Sequence, residues 1–305
     1  MTDIPQTEQR QQTEPRLPTE PRLQSVQCLG AKGLHRMAYW EWGDPANPRV
    51  LVCVHGLSRQ GRDFDTLAAA MSGEYRVVCP DVVGRGRSDW LADPMGYNIP
   101  AYVADMVTLL ARLNADKVHW VGTSMGGLIG MGLASLPHTP VSRLVLNDVG
   151  PTIEFASLQR IGLYLGQPAR WATLDQAADA MWAISPGFGP HSREQWLALT
   201  RPLLKADGDG FKPRYDPAIA VPFRLITEAA AQAGEAALWY GYDQVACPTL
   251  LLRGAESDLL SPATAQAMTE RGPRARLVTL AGVGHAPTLV APDQVQWVRE
   301  FLRAP

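Results

Sequence analysis

Val118-His119-Trp120-Val121-Gly122-Thr123-Ser124-Met125-Gly126-Gly127 decides how this 305-residue chain is read. An apolar, β-branched run passes directly into residues 125–136, whose pattern is helical. Gly122-x-Ser124-x-Gly126 therefore sits on a strand-to-helix turn. A serine on such a strained turn stands with its Oγ exposed, and flanking glycines remove side chains that would clash there. The Met125 N–H opens the helix, where unpaired N–H groups and the helix dipole favour a negative oxygen. The spacing assigns Ser124 as a nucleophile and Met125 as the source of one oxyanion donor.

A nucleophilic serine needs a base. Of six histidines, His285 alone follows a strand-like run (276–280) inside a glycine-rich turn, Gly282-Val283-Gly284-His285-Ala286-Pro287. The glycines let its imidazole approach another loop. His35, His119, His138 and His191 fall at an edge hairpin, within a strand, in a turn and in a long insertion, and are read as structural or surface groups. The acid is expected before the base. Leu250-Leu251-Leu252-Arg253-Gly254-Ala255-Glu256-Ser257-Asp258 ends a buried strand in polar residues, and Asp258 is read as the acid. The expected catalytic set is Ser124, Asp258 and His285, in the chain order that accompanies this type of turn.

Working outward, strand-like runs occur at 36–42, 49–54, 75–80, 117–122, 143–147, 248–253 and 276–280. Continuous apolar runs such as Val50–Val54 suit strands buried on both faces. Helical spacing appears at 63–72, 101–113 and 292–303. This alternation predicts an α/β fold, a mostly parallel doubly wound sheet of about eight strands, with the first two strands as an antiparallel edge hairpin. It breaks over 151–240, which concentrates aromatics and is too long for a plain loop. That stretch is read as a helical cap without clear strands, inserted into a core of residues 25–150 and 241–305. Three or four of its aromatics are expected to face a cavity, with Trp182 and Trp239 proposed as substrate contacts. Asp207-Gly208-Asp209-Gly210 is read as a turn, since the further spaced ligands of a calcium loop are missing.

Residues 1–24, rich in Gln, Glu, Thr, Pro and Arg and carrying a Thr-Glu-Pro-Arg-Leu repeat, are read as a solvated tail with no signal-peptide pattern. An arm packing on a neighbouring subunit is the alternative, and a homo-oligomer is compatible with it. The balance of 28 Lys+Arg against 30 Asp+Glu gives −2, which offers no footprint for nucleic acid or anionic lipid. No apolar run approaches the roughly 18 residues of a membrane span. Four scattered cysteines form no metal or disulfide spacing. These readings predict a cytoplasmic protein with no metal and no cofactor.

Taken together, His55-Gly56-Leu57-Ser58, Asp81-Val82-Val83-Gly84-Arg85-Gly86-Arg87-Ser88, the Gly122–Gly127 turn, Ser257-Asp258 and Gly284-His285 resemble the α/β-hydrolase fold family, in its single-cap serine hydrolase branch. The resemblance spans roughly residues 25–305. It is specific for fold and triad and weakly specific for substrate. It implies that His55-Gly56 opens the oxyanion loop, with the Leu57 N–H as the second donor, the His55 ring structural, and 81–88 packed beside the site. Some relatives carry the acid at the position of Asp148. Arg59, next along the loop, is a candidate to bind a polar group of the substrate, against the plainer reading that it pairs with Asp63 or Asp65. The implied activity is hydrolysis of a small to medium apolar carboxylic ester through an acyl-enzyme. Carbon–carbon bond hydrolysis of meta-cleavage products, lactone hydrolysis, and a weakly catalytic ligand receptor are the alternatives. Leu57-Ser58-Arg59 stands where the carbon–carbon hydrolases carry a longer glycine-rich loop.

Overall fold

Val50-Leu51-Val52-Cys53-Val54 has no polar face, and all five residues are buried. Such a strand needs partners on both edges and helices on both faces. The computed structural model, which describes residues 20–304, supplies them. The strands are β1 (Arg22–Gly30), β2 (Gly33–Trp42), β3 (Val50–Val54), β4 (Arg76–Pro80), β5 (Val118–Thr123), β6 (Val141–Asn147), β7 (Leu204–Asp207), β8 (Gly210–Pro213), β9 (Thr249–Gly254) and β10 (Arg276–Leu280). Eight of them form one sheet in the order β1-β2-β4-β3-β5-β6-β9-β10. β2 runs antiparallel to β1 and β4, and every other pairing is parallel.

The helices are α1 (Asp65–Met71), α2 (Ile99–Leu113), α3 (Met125–Ala134), α4 (Phe155–Tyr164), α5 (Leu174–Ala183), α6 (Arg193–Thr200), α7 (Val221–Leu225), α8 (Glu228–Gln244), α9 (Pro262–Glu270) and α10 (Pro292–Arg303). The two-residue period of β3 divides the core. Leu51 and Cys53 meet Leu67 and Met71 of α1 and Val298 and Phe301 of α10 on one face. Val50, Val52 and Val54 share the other with Met106 and Leu109 of α2 and Leu128 and Ile129 of α3. The ends of α2 are written in sequence. Asn98 Oδ1 accepts the Ala101 N–H at 2.9 Å, Pro100 stands in the first turn, and Asn114 closes the helix in the left-handed region. No described helix is long and apolar enough to cross a membrane.

Two expectations need correction. The tail reading extended to residue 24, but Arg22–Gln24 already belong to β1. Leu23 pairs with Trp40 there, and Arg22 reaches Glu41 at 2.8 Å. Residues 1–19 of that reading lie outside the described residues. The segment between β6 and β9 carries α4–α8, but it also holds the β7–β8 hairpin, where no clear strand is expected. Asp207-Gly208-Asp209-Gly210 is its turn, with Gly208 at φ +61°, and Lys212 and Arg170 pair with Asp207.

Candidate active site

β5 delivers Ser124 on a turn that few residues tolerate: its φ is +51° and its ψ −117°. The glycines around it answer to close approach. A Cβ on Gly122 would run into the Gly126 backbone, and one on Gly126 would run into the Val54 carbonyl at the end of β3. Ser124 Oγ lies 3.0 Å from His285 Nε2, and His285 Nδ1 lies 2.8 Å from Asp148 Oδ2. With Nδ1–H donating to the carboxylate, Nε2 is left as acceptor for the serine hydroxyl. Asp148 is fully buried where β6 ends, in the left-handed region at φ +55°. Its Oδ1 accepts the Gly254 N–H at 2.8 Å, and its Oδ2 also accepts the Ser257 hydroxyl at 2.6 Å. A buried carboxylate needs such donors.

The loop after β3 is fixed through two successive carbonyls. His55 Nδ1–H donates to Gly56 O at 2.7 Å, and Arg85 Nε–H donates to Leu57 O at 2.8 Å. Because the peptide is trans, the Leu57 N–H points away from the imidazole that holds the Gly56 carbonyl. Gly56 itself packs against Ser124. The Met125 N–H, at the start of α3, has no acceptor within its helix.

His55 is fully buried and accepts the Val82 N–H on Nε2 at 2.9 Å, so both ring nitrogens are committed to the neutral form. Burial, with Arg85 and Arg59 adding to it, pushes the imidazole down to about 3. An unfolded histidine titrates near about 6.5. Between those values the unfolded chain binds the extra proton, so this contribution to stability is complete above about pH 6.5 and is lost as pH falls. His55→Gln should therefore flatten the acid limb of stability. Its cost relative to wild type should shrink by about 1.4 kcal/mol per pH unit from pH 6.5 down to 4 in urea titrations. A cost independent of pH would contradict the neutral, buried assignment.

The sequence pattern that defines the alpha/beta hydrolase family matches residues 51–296. The chain belongs to the α/β-hydrolase family. It is similar to a 3-hydroxybutyrate-oligomer hydrolase of Cupriavidus necator, 56% identical over 90% of this chain and 96% of that protein. It is similar to esterase YbfF of Escherichia coli at 24% identity, over 84% of this chain and 94% of that one. Among solved structures, an α/β hydrolase from Novosphingobium aromaticivorans superposes with a TM-score of 0.81 at 36% identity, covering 93% of this chain and 98% of the other.

Within this α/β-hydrolase, several expected site residues lie elsewhere. Asp258 does not meet His285. The loop after β9 turns Ser257 inward to Asp148 and Asp258 outward, where its exposed carboxylate pairs with Arg160 of α4 at 2.6 Å. The carboxylate that meets the His285 ring is that of Asp148. Arg59 is not free for a substrate, since its fork is held by Asp63 at 2.6 and 2.8 Å, the pairing given as the plainer reading. Its neighbourhood is nonetheless a cleft, with Phe64, Thr123 and Pro287 on the core side and Phe188 and Leu199 from the insertion. Trp182 lies outside that wall, packed edge-on against Trp196 at 5.2 Å. Trp239 donates to Thr152 Oγ1 at 3.0 Å and stacks under Arg271, so it serves the packing of α8.

Sequence reasoning passed over Ser257. Its signal was its place beside a presumed acid, a serine at the end of a buried strand. Removing a hydrogen bond to a charged acceptor costs about 1.5–3 kcal/mol, so Ser257→Ala is expected to lower kcat about tenfold while KM changes less than about twofold. Steady-state kinetics check this, and an unchanged kcat would show that the other donors suffice to hold Asp148.

One trio of ligand-type side chains lies among the described residues: Cys28, His35 and Asp105, buried between β1, β2 and α2. His35 Nε2 and Asp105 Oδ2 are in direct hydrogen-bond contact at 2.9 Å. Burial, with Asp105 adding to it, pushes the Cys28 thiol up to about 12, which keeps it protonated. The trio ties the hairpin to α2 and sits three to four strands from β5 in the sheet.

Proposed function

We propose that this α/β-hydrolase cleaves carboxylic esters through an acyl-enzyme on Ser124, and that its substrates are short linear esters of 3-hydroxybutyrate. The observation that carries the chemistry is the hydrogen-bonded run from Asp148 through His285 to Ser124. In this reading His285 Nε2 takes the hydroxyl proton as Ser124 Oγ attacks the carbonyl. Asp148 orients and stabilises the imidazolium, and the Leu57 and Met125 N–H groups receive the oxyanion. The alcohol leaves with the proton held by His285. Water, deprotonated by the same nitrogen, then releases the acid and regenerates the serine.

The substrate class is supported by the similarity to the 3-hydroxybutyrate-oligomer hydrolase. The apolar cleft walls, Phe64, Phe188, Leu199 and Pro287, suit methyl-bearing acyl units. Residues 151–240 act as the cap that supplies Phe188 and Leu199. The test supplies linear 3-hydroxybutyrate dimer and trimer beside p-nitrophenyl butyrate, with an organophosphonate to trap the nucleophile. Release of monomer and a phosphonyl adduct on Ser124 are expected. Cleavage of the aryl ester alone would withdraw the substrate assignment, and an adduct on another serine would withdraw the mechanism.

A further inference from the structure

Arg85 is fully buried, and none of its contacts among the described residues is a carboxylate. Its Nη1 donates to Val83 O at 2.8 Å and to Tyr102 Oη at 2.9 Å, and the rings of Tyr97 and Tyr102 flank the guanidinium. Leaving a cation in such a place with neutral partners alone is expensive. The remaining two contacts indicate what offsets the cost. Nε donates to Leu57 O, and Nη2 lies 3.6 Å from Met125 Sδ. These are the two residues whose N–H groups receive the oxyanion in the function proposed above.

We propose that Arg85 is the positioning residue of the oxyanion hole: it locks Leu57 and Met125 together from behind and holds there a positive charge that is matched only when the tetrahedral intermediate forms. The inference rests on the acyl-enzyme reading. A fixed charge of this kind favours the transition state over the neutral ground-state ester, so it acts on kcat and leaves KM alone.

The test sets Arg85→Lys, which keeps the charge, against Arg85→Gln, which keeps donors and loses it. With p-nitrophenyl butyrate, Arg85→Gln is expected to lose about 30-fold in kcat at a KM within about twofold of wild type. It is expected to bind a trifluoromethyl ketone, whose adduct with the serine carries a negative oxygen, about 30-fold less tightly. Arg85→Lys should recover about tenfold of each loss. Equal kcat in the two variants, or a loss that falls mainly on KM, overturns the proposal. If Arg85→Gln does not fold, Arg85→Lys decides: ketone affinity within about fivefold of wild type supports the charge role, and any larger loss overturns it. Failure of the parent reading is separate, because it appears as an unlabelled Ser124 in the wild-type protein and overturns both.

Discussion

Ser124→Ala abolishes turnover: kcat is expected to fall by about a million-fold, the scale seen when a nucleophile that acts in concert with its base is removed. The side chain is small and partly exposed, on a turn whose backbone the alanine can keep, so the unfolding midpoint should hardly move. The variant should still bind substrate, because the cleft walls and the two N–H donors remain. Kinetics with p-nitrophenyl butyrate, paired with a binding measurement on the 3-hydroxybutyrate dimer, separate the two quantities. Residual activity above about one part in a thousand of wild type would require another nucleophile.

The second large effect discriminates between two aspartates. Asp148→Asn should lower kcat about ten-thousand-fold, because the amide fails to hold the imidazole in the tautomer that leaves Nε2 free, and fails to stabilise the imidazolium. Asp258→Asn should leave kcat within about twofold, since it removes an exposed ion pair with Arg160 of the kind usually worth under about 1 kcal/mol. Side-by-side kcat values for the two variants decide the matter. Comparable losses would mean that the loop after β9 contributes more to the base than Ser257 alone.

Both aspartates follow buried parallel strands, and both precede His285. What separates them is the direction of the chain after the strand, and one residue of turn geometry decides that. Asp148 adopts a left-handed backbone that folds its side chain back across the sheet, whereas Ser257, not Asp258, faces inward after β9. The local surroundings held a clue, because Leu146-Asn147-Asp148-Val149 places its acid among buried residues, while Glu256-Ser257-Asp258 is a polar stretch. By contrast the sheet and the Ser124 turn were legible. Long apolar runs, helical periods and close-packed glycines each carry a strong signal of their own. Trp182 and Trp239 were not, because which way an insertion's side chains point depends on packing partners the fold brings up, such as Trp196 for Trp182 and Thr152 for Trp239. Arg59 lies outside the insertion, and its pairing with Asp63, four residues on, is the plainer reading of the sequence. The β7–β8 hairpin is only four residues a side; Leu204-Lys205-Ala206-Asp207 does alternate and runs into Asp207-Gly208, but so short a run reads equally as a turn in a loop.

β5 and β6 lie side by side near the middle of the sheet, and the Ser124 N–H donates to Asn147 O at 3.0 Å. Ser124 and Asp148 therefore belong to one stiff block. His285 does not: it hangs beyond β10, an edge strand paired only with β9. Elements of that kind open at lower free energy than a sheet's centre. If that edge opens first, mild denaturant is expected to lower activity while the far-ultraviolet circular dichroism of the sheet is unchanged, and activity should return on dilution; simultaneous loss of both would place His285 in the same cooperative unit as β5 and β6.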